Sequence, residues 1–288
     1  MGAGWGVTQP LSKIAVSTGY GHFGLVFWQL LIGAGLMGLI RLLRRTRLPL
    51  SLRHLRLYLI IALIGTVVPN TLSYQAAVHL PAGIMSLLLS VIPMFAFGIA
   101  LLIGNDSFVM RRMVGLLFGL AGVLMIILPS VDLGQPVSVF WAGVYLLTAL
   151  CYAFEGNYVA KWGTQGLDPF QVMLGSSLVG VLVTLPLMIN AGHFIAPVWP
   201  LEKAQAALVL TSVVHVLVYA TYVWVVGRAG AVFATQVSYL VTAFGLFWAW
   251  LILSEAYAAT LAIALAVIFL GMYLVQPREN VAEAPEPL

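Results

Sequence analysis

The chain is 288 residues long, 62% hydrophobic and only 8% charged, with a mean hydropathy of +1.04. Soluble domains carry roughly 25% charged residues, so a water-soluble enzyme or binding module is excluded, and an integral membrane protein is indicated. The formal charge of +4 raises an anionic partner, but the basic residues sit at the ends of apolar runs, where they mark orientation in a bilayer and not nucleic acid.

Ten apolar runs follow in chain order, over residues 2–16, 24–43, 57–77, 82–103, 113–128, 140–159, 169–191, 204–226, 231–253 and 258–275. Most approach the roughly 20 residues that cross a hydrocarbon core of about 30 Å. The first and fifth fall short. Span five gains length if Arg111 and Arg112 snorkel to the interface; span one starts at Met1 and reads as a thin first helix or a late start. Pro69 in span three and Pro93 in span four each remove a backbone donor and are expected to kink or soften their helices. Cys151 is the only cysteine and lies inside a span, so no disulfide can form within the chain. No cleavable signal peptide is expected, because the first residues lack a basic region and serve as span one.

The second half echoes the first at a spacing of about 148 residues. Gln9 and Lys13 return as Asn157 and Lys161, Tyr74 as Tyr222, and Gly122 as Gly271. Leu80-Pro81-Ala82-Gly83 corresponds to Gly227-Arg228-Ala229-Gly230, and Asn105-Asp106 to Ser254-Glu255. Five spans per half is an odd number, so the halves enter the bilayer in opposite senses. The expected architecture is an all-α membrane protein of ten transmembrane helices built from two inverted five-helix repeats, residues 1–128 and 140–276. Residues 129–139 form an extracytoplasmic linker, and residues 277–288, rich in Glu and Pro, a disordered tail.

With the N-terminus in the cytoplasm, Arg41, Arg44, Arg45, Arg47, Arg53, Arg56, Arg111, Arg112, Lys161, Arg228 and Arg278 fall on that side. Only Lys13 and Lys203 fall on the other. This asymmetry satisfies the positive-inside rule and puts both termini in the cytoplasm of a bacterial-type inner membrane.

Two literal G-x-G-x-x-G matches, at Gly19 and Gly33, neither follow a strand nor open a βαβ unit. There is no Walker loop, no nucleophile elbow and no His/Cys cluster at metal spacing, so neither cofactor nor metal is expected. The sequon at Asn105 lies on the cytoplasmic side of this topology.

Chemistry is therefore sought in polar residues inside spans. Glu155 is the one acidic residue within a span, and a charge at a helix centre costs about 2.5–3.5 kcal/mol on insertion scales. Such a group needs a water-filled cavity, a polar partner or a neutral carboxyl. Tyr145, Thr148, Tyr152 and Glu155 share a helical face. The structural alternative is a Glu hydrogen-bonded between helices. His215 is the one mid-span histidine and joins Thr211, Tyr219 and Tyr222 in a stripe that faces a cavity or a neighbouring helix. Asn70, Ser73 and Tyr74 align in span three, Ser86, Ser90 and Pro93 in span four, and Thr235, Ser238, Tyr239 and Thr242 in span nine. Lys13 and Lys161 read as residues that end their helices by snorkelling. Spans five and ten are almost wholly apolar, and Gly115, Gly119 and Gly122 give the former a small-residue face suited to packing or to a homodimer.

The residues that carry a family likeness are Trp5-Gly6 with Gln9 and Lys13, Tyr74-Gln75-Ala76-Ala77 leading to Pro81-Ala82-Gly83, Ser90-Val91-Ile92-Pro93, Ser254-Glu255 and Gly271. In order and spacing they resemble the drug/metabolite transporter superfamily, EamA type, over almost the whole chain, although the start of span one is lacking. That resemblance implies export of small metabolites, often amino acids, across an inner membrane through a cavity between the halves. The aromatic residues Tyr74, Tyr152, Tyr219, Tyr222 and Tyr239, with Glu155, His215, Ser90 and Asn70, suit a zwitterionic metabolite whose amine lies near Glu155 and whose apolar part rests on tyrosines. Lipophilic or quaternary cations are the alternative cargo. A non-transport scaffold would not need polar stripes in six spans, and an intramembrane enzyme would need a nucleophile or metal set that the sequence lacks. The orientation is checked by reporters fused after Leu288: a cytoplasmic reporter is expected to be active there, and activity confined to a periplasmic reporter would overturn the topology.

Overall fold

The computed structural model describes residues 1–104, 107–127, 137–235 and 237–275. Their helices are α1 (Gly2–Ala15), α2 (His22–Arg44), α3 (Leu52–His79), α4 (Ala82–Leu102), α5 (Met110–Ile127), α6 (Val139–Trp162), α7 (Pro169–Asn190), α8 (Lys203–Thr235), α9 (Val237–Leu253) and α10 (Ala259–Val275). Among them α2, α3, α4, α6, α7 and the Lys203–Tyr222 part of α8 are each long and apolar enough to cross a membrane, and shorter apolar runs occupy Leu240–Leu253 and Ala259–Leu274. The linker at 129–136, Asn105-Asp106 and the tail at 277–288 lie outside the described residues.

Prolines explain the breaks. In α3 the helix is α-helical over Leu52–Ile60, widens to a π-helix over Ile61–Val67 and resumes over Val68–His79. Pro69 has no N–H for the carbonyl four residues back, at Gly65, so the regular ladder cannot close there. In α4, Pro93 has none for Leu89, and the helix divides into Ala82–Leu89 and Ile92–Leu102. Both kinks fall where the sequence places them.

Several boundaries differ from the sequence reading; α3, for one, begins at Leu52 and so takes Arg53 and Arg56 into the helix. Helix α5 begins at Met110, so Arg111 and Arg112 belong to its first turn and their guanidinium groups lie over Tyr273 and Phe97, 5.2 and 5.1 Å from the ring centroids. Helix α8 continues through residues 227–230, where the repeat suggests a turn. The turn at Leu80-Pro81 rests on a proline that cannot extend a helix; its counterpart in the second half is Arg228, which keeps its backbone donor.

Helix pairing follows the repeat. Helix α1 packs on α8 and α9, and α6 packs on α3 and α4; α2 pairs with α7, and α5 with α10. Exchanging each helix with the one five places on returns the same set of pairs. The apolar core centres on the first half of α4, where every residue from Ala82 to Leu89 is buried among α1, α6 and α9. The arginines at the ends of α2 and α3 gather at one end of the bundle, where Arg44 meets Asp168 at 3.8 Å and lies 4.7 Å from the Phe170 ring centroid. That end is the basic end below.

Small residues bring α5 and α10 together. A methyl on Gly271 would lie 2.7 Å from both the Gly115 carbonyl oxygen and the Gly119 nitrogen. The glycine face of α5 is thus engaged inside the chain, while Leu117, Leu120 and Leu124 face outward. Because backbone cannot yield as a side-chain tip can, Gly271→Ala is expected to destabilise the protein by about 1–3 kcal/mol, read as a lowered Tm in detergent. Gly98→Ala, with open space around the new methyl, serves as the neutral control, and an unchanged Tm for Gly271→Ala would contradict this packing.

Candidate functional site

Glu155 lies in α6 with 7% of its surface exposed. It reaches the π-helical stretch of α3, where a methyl on Gly65 would sit 2.3 Å from its Oε1. Only a residue without a side chain leaves room for the carboxyl here. Tyr219 of α8 closes the site from the other half, its hydroxyl donating to Oε1 at 2.6 Å. The rest of the α8 stripe follows: His215 lies 6.3 Å and Tyr222 6.5 Å from Tyr219 between ring centroids, and Trp5 of α1 lies 5.3 Å from Tyr222. A buried carboxyl with aromatic surface beside it can hold an amine or a proton and can rest an apolar group on the rings.

A second polar layer consists of three tyrosine–amide pairs. The hydroxyls of Tyr145, Tyr74 and Tyr152 donate to the side-chain oxygens of Gln9, Gln29 and Asn70 at 2.7, 2.9 and 3.0 Å. Each pair joins two helices: α6 to α1, α3 to α2, and α6 to α3. Asn70 Nδ2, Thr71 Oγ1 and Thr211 Oγ1 are buried without a hydrogen-bond partner.

Beyond this layer, away from the basic end, lies a cavity of about 250 Å³ lined by Tyr20, Gly21, His22, Tyr74, Gln75, Val78, His79 and Trp141. The His79 ring stacks on Trp141 at 4.2 Å. Tyr74 belongs both to the cavity wall and to the polar layer. From Tyr74 the face of α3 leads through Asn70 to Gly65 and Glu155, nine residues or about 13 Å along the helix.

The same end of the bundle is tied across the halves. Glu255, between α9 and α10, accepts from the backbone N–H groups of Ala82 and Gly83 at 2.7 and 3.0 Å, and Tyr257 donates to its Oε2 at 2.7 Å. A carboxylate there meets the free donors and the positive end of the α4 dipole. Burial, and Glu255 beside it, push the Tyr257 hydroxyl well above a tyrosine's ordinary range, so it remains a donor at physiological pH. Lys13 donates to the Leu80 carbonyl at 2.7 Å, and Lys161, at the basic end, donates to that of Ile103. Neither lysine merely snorkels; each satisfies a carbonyl beside a helix C-terminus.

Of the residues singled out from sequence, Glu155 and Tyr219 meet directly, His215 and Tyr222 lie one turn to either side of Tyr219 on α8, and Tyr152, Asn70 and Tyr74 lie in the layer above. Ser90 stands apart: its hydroxyl donates to the Leu87 carbonyl at 2.6 Å at the break in α4. The Tyr239 side chain lies outside the described residues. Sequence reasoning missed Gln29, 4% exposed, although a lone amide in an otherwise apolar run was a usable signal. It also left Glu255 without a partner, because the N–H groups that it caps are 172 and 173 residues away.

The sequence profile described as EamA-like transporter family matches residues 1–128 and 139–276. The chain belongs to the EamA-like transporter family. Among curated proteins, it is 26% identical over 245 residues to "Uncharacterized transporter YdfC" of Bacillus subtilis (strain 168), covering 82% of this chain and 76% of the relative. To "Uncharacterized transporter YvbV" of the same organism it is 25% identical over 282 residues, covering 97% and 90%. A solved crystal structure matches 94% of each chain with a TM-score of 0.57 at 19% identity, a likeness of fold alone. This EamA-family chain is an integral membrane transporter and not an enzyme.

Gly65→Ala tests the geometry around Glu155. A methyl there must displace the carboxyl, which is the far end of a flexible side chain, so Tm is expected to change little while transport falls by on the order of tenfold. Full transport by Gly65→Ala in proteoliposomes would show that the position of the carboxyl is immaterial.

Proposed function

We propose that this transporter exports a small zwitterionic metabolite, an amino acid or a close relative, from the cytoplasm across a bacterial-type inner membrane. The observation that carries the reading is Glu155, a carboxyl kept at membrane depth between a glycine of one half and a tyrosine of the other. A charged group in that place is expensive, and among the described residues Glu155 pairs through the Tyr219 hydroxyl alone, which leaves its second oxygen for a cargo amine or a proton. Tyr219, Tyr222 and Trp5 supply the apolar and π surface for the remainder of the cargo.

Alternating access supplies the cycle. The basic end is assigned to the cytoplasm on the distribution of arginines. Glu155 is held by contacts from both halves, so rocking one half against the other changes which end reaches it. Opening away from the basic end requires release of Glu255 from α4 and of Lys13 from Leu80. Relay of a proton by Glu155 would couple the cycle to the proton gradient. Membrane lipid surrounds the bundle, and a homodimer through α5 and α10 would use the outward leucines, since the glycine face is occupied. Lipophilic or quaternary cations are the second reading, favoured by the Trp5–Tyr222–Tyr219 aromatic cluster beside the carboxyl.

Glu155→Gln decides whether the carboxyl acts in transport. Gln keeps the shape and still accepts from Tyr219, so the protein is expected to fold with a near-normal Tm. Export, assayed as uptake of labelled metabolites by inverted vesicles, should fall to background or lose its pH dependence. Normal export with an unchanged pH profile would sink the functional reading of Glu155.

A further inference from the structure

The amide of Asn70 carries an unspent donor. Asn70 is 7% exposed, and its oxygen already accepts from Tyr152 at 3.0 Å. The Tyr152 hydroxyl donates to that oxygen, and the NH₂ group points elsewhere. That group is buried without a partner. A buried donor left without an acceptor is costly, and natural proteins keep few of them.

Two further orphan atoms lie at its level. Thr71 Oγ1 neighbours it on α3, and Thr211 Oγ1 lies on α8, in the other half. Asn70 is nine residues from the end of α3 at His79, and Thr211 eight from the start of α8 at Lys203, so both lie about 12–14 Å in from the same end. Unsatisfied groups of both halves thus lie at a similar distance from one end of the bundle.

The spacing to Glu155 gives the layer a meaning. Asn70 follows Gly65, which Glu155 touches, by five residues, or about 7.5 Å along a helix. An amino group and a carboxylate on one carbon, each hydrogen-bonded at about 2.8 Å, span about 8 Å between their protein partners. We propose that Asn70 Nδ2, oriented by Tyr152, reads the carboxylate of the cargo while Glu155 reads its amine, so that Asn70 is the residue that selects zwitterions over simple cations. Donors suit this pole: a negatively charged oxygen satisfies an NH₂ group that water-free surroundings leave bare.

This inference rests on the assignment of Glu155 to cargo binding, and its test separates the two. Purified full-length protein in detergent is screened by thermal shift against each of the twenty protein amino acids. The one that stabilises most is then compared with its decarboxylated amine and its deaminated acid. Asn70→Asp keeps the oxygen that accepts from Tyr152 and replaces only the NH₂ group. The expected result is a loss of at least tenfold in affinity for the amino acid and the deaminated acid, with the amine held within twofold. Tyr152→Phe, which frees the amide to rotate, should weaken the same two probes at least threefold and spare the amine, so the idea stays testable if Asn70→Asp folds poorly. Equal weakening of amino acid and amine, or no change, would overturn the role of Asn70 while leaving Glu155 in place. A wild-type protein that binds the amine as tightly as the amino acid, or that no amino acid stabilises, would overturn the zwitterion reading and Asn70 with it.

Discussion

At membrane depth there is no water to satisfy a backbone group that its own helix leaves unpaired, and this constraint organises the bundle. Helices α3 and α4 are both broken by proline, and the carbonyls along them are met by side chains from α6: Thr148 donates to Pro69, Asn157 to Ala96 and Lys161 to Ile103. At the turn between α3 and α4, Lys13 takes the Leu80 carbonyl and Glu255 the N–H groups of Ala82 and Gly83. Side chains of the second half thus reach backbone groups along both broken helices of the first.

The division between rigid and breakable contacts follows the same chemistry. Helices α5 and α10 meet through glycine with backbone against backbone, and the Arg111 guanidinium lies over the Tyr273 ring across the same pair. Near the proposed pathway, α1, α3, α4, α6 and α8 are joined in addition by individual hydrogen bonds, some between side chains and some from side chains to backbone. Dispersion contacts over a close-packed face are lost only together, whereas a few charge-assisted bonds can be exchanged one by one. The chain places the second kind around the pathway and the first kind at its edge.

Much of this was legible beforehand. Hydropathy and the lysine–arginine asymmetry reveal the spans and the basic end, and the cost of an intramembrane carboxyl singles out Glu155 and the α8 stripe. The remainder depends on contacts between distant segments. Nothing within α9 or α10 indicates that Glu255 caps a helix 172 residues earlier, and Gln29 is hidden by the apolar run around it. Conversely, the repeat misleads at residues 227–230, because equivalence of position does not carry over a proline to a partner that lacks one. Ser90 shares a face with Ser86, and both hydroxyls turn back onto carbonyls of their own helix.

The π stretch in α3 has a consequence for how the pathway is aimed. A helix advances about 100° per residue, and one extra residue within a turn rotates everything after it by that amount relative to an unbroken rod. Tyr58, before the stretch, packs against Gly175 of α7, while Asn70 and Tyr74, after it, turn toward α6 and α2. The direction in which this wall faces is therefore an angular offset written by one proline: a small change in its place would re-aim the polar groups without altering a single one of them.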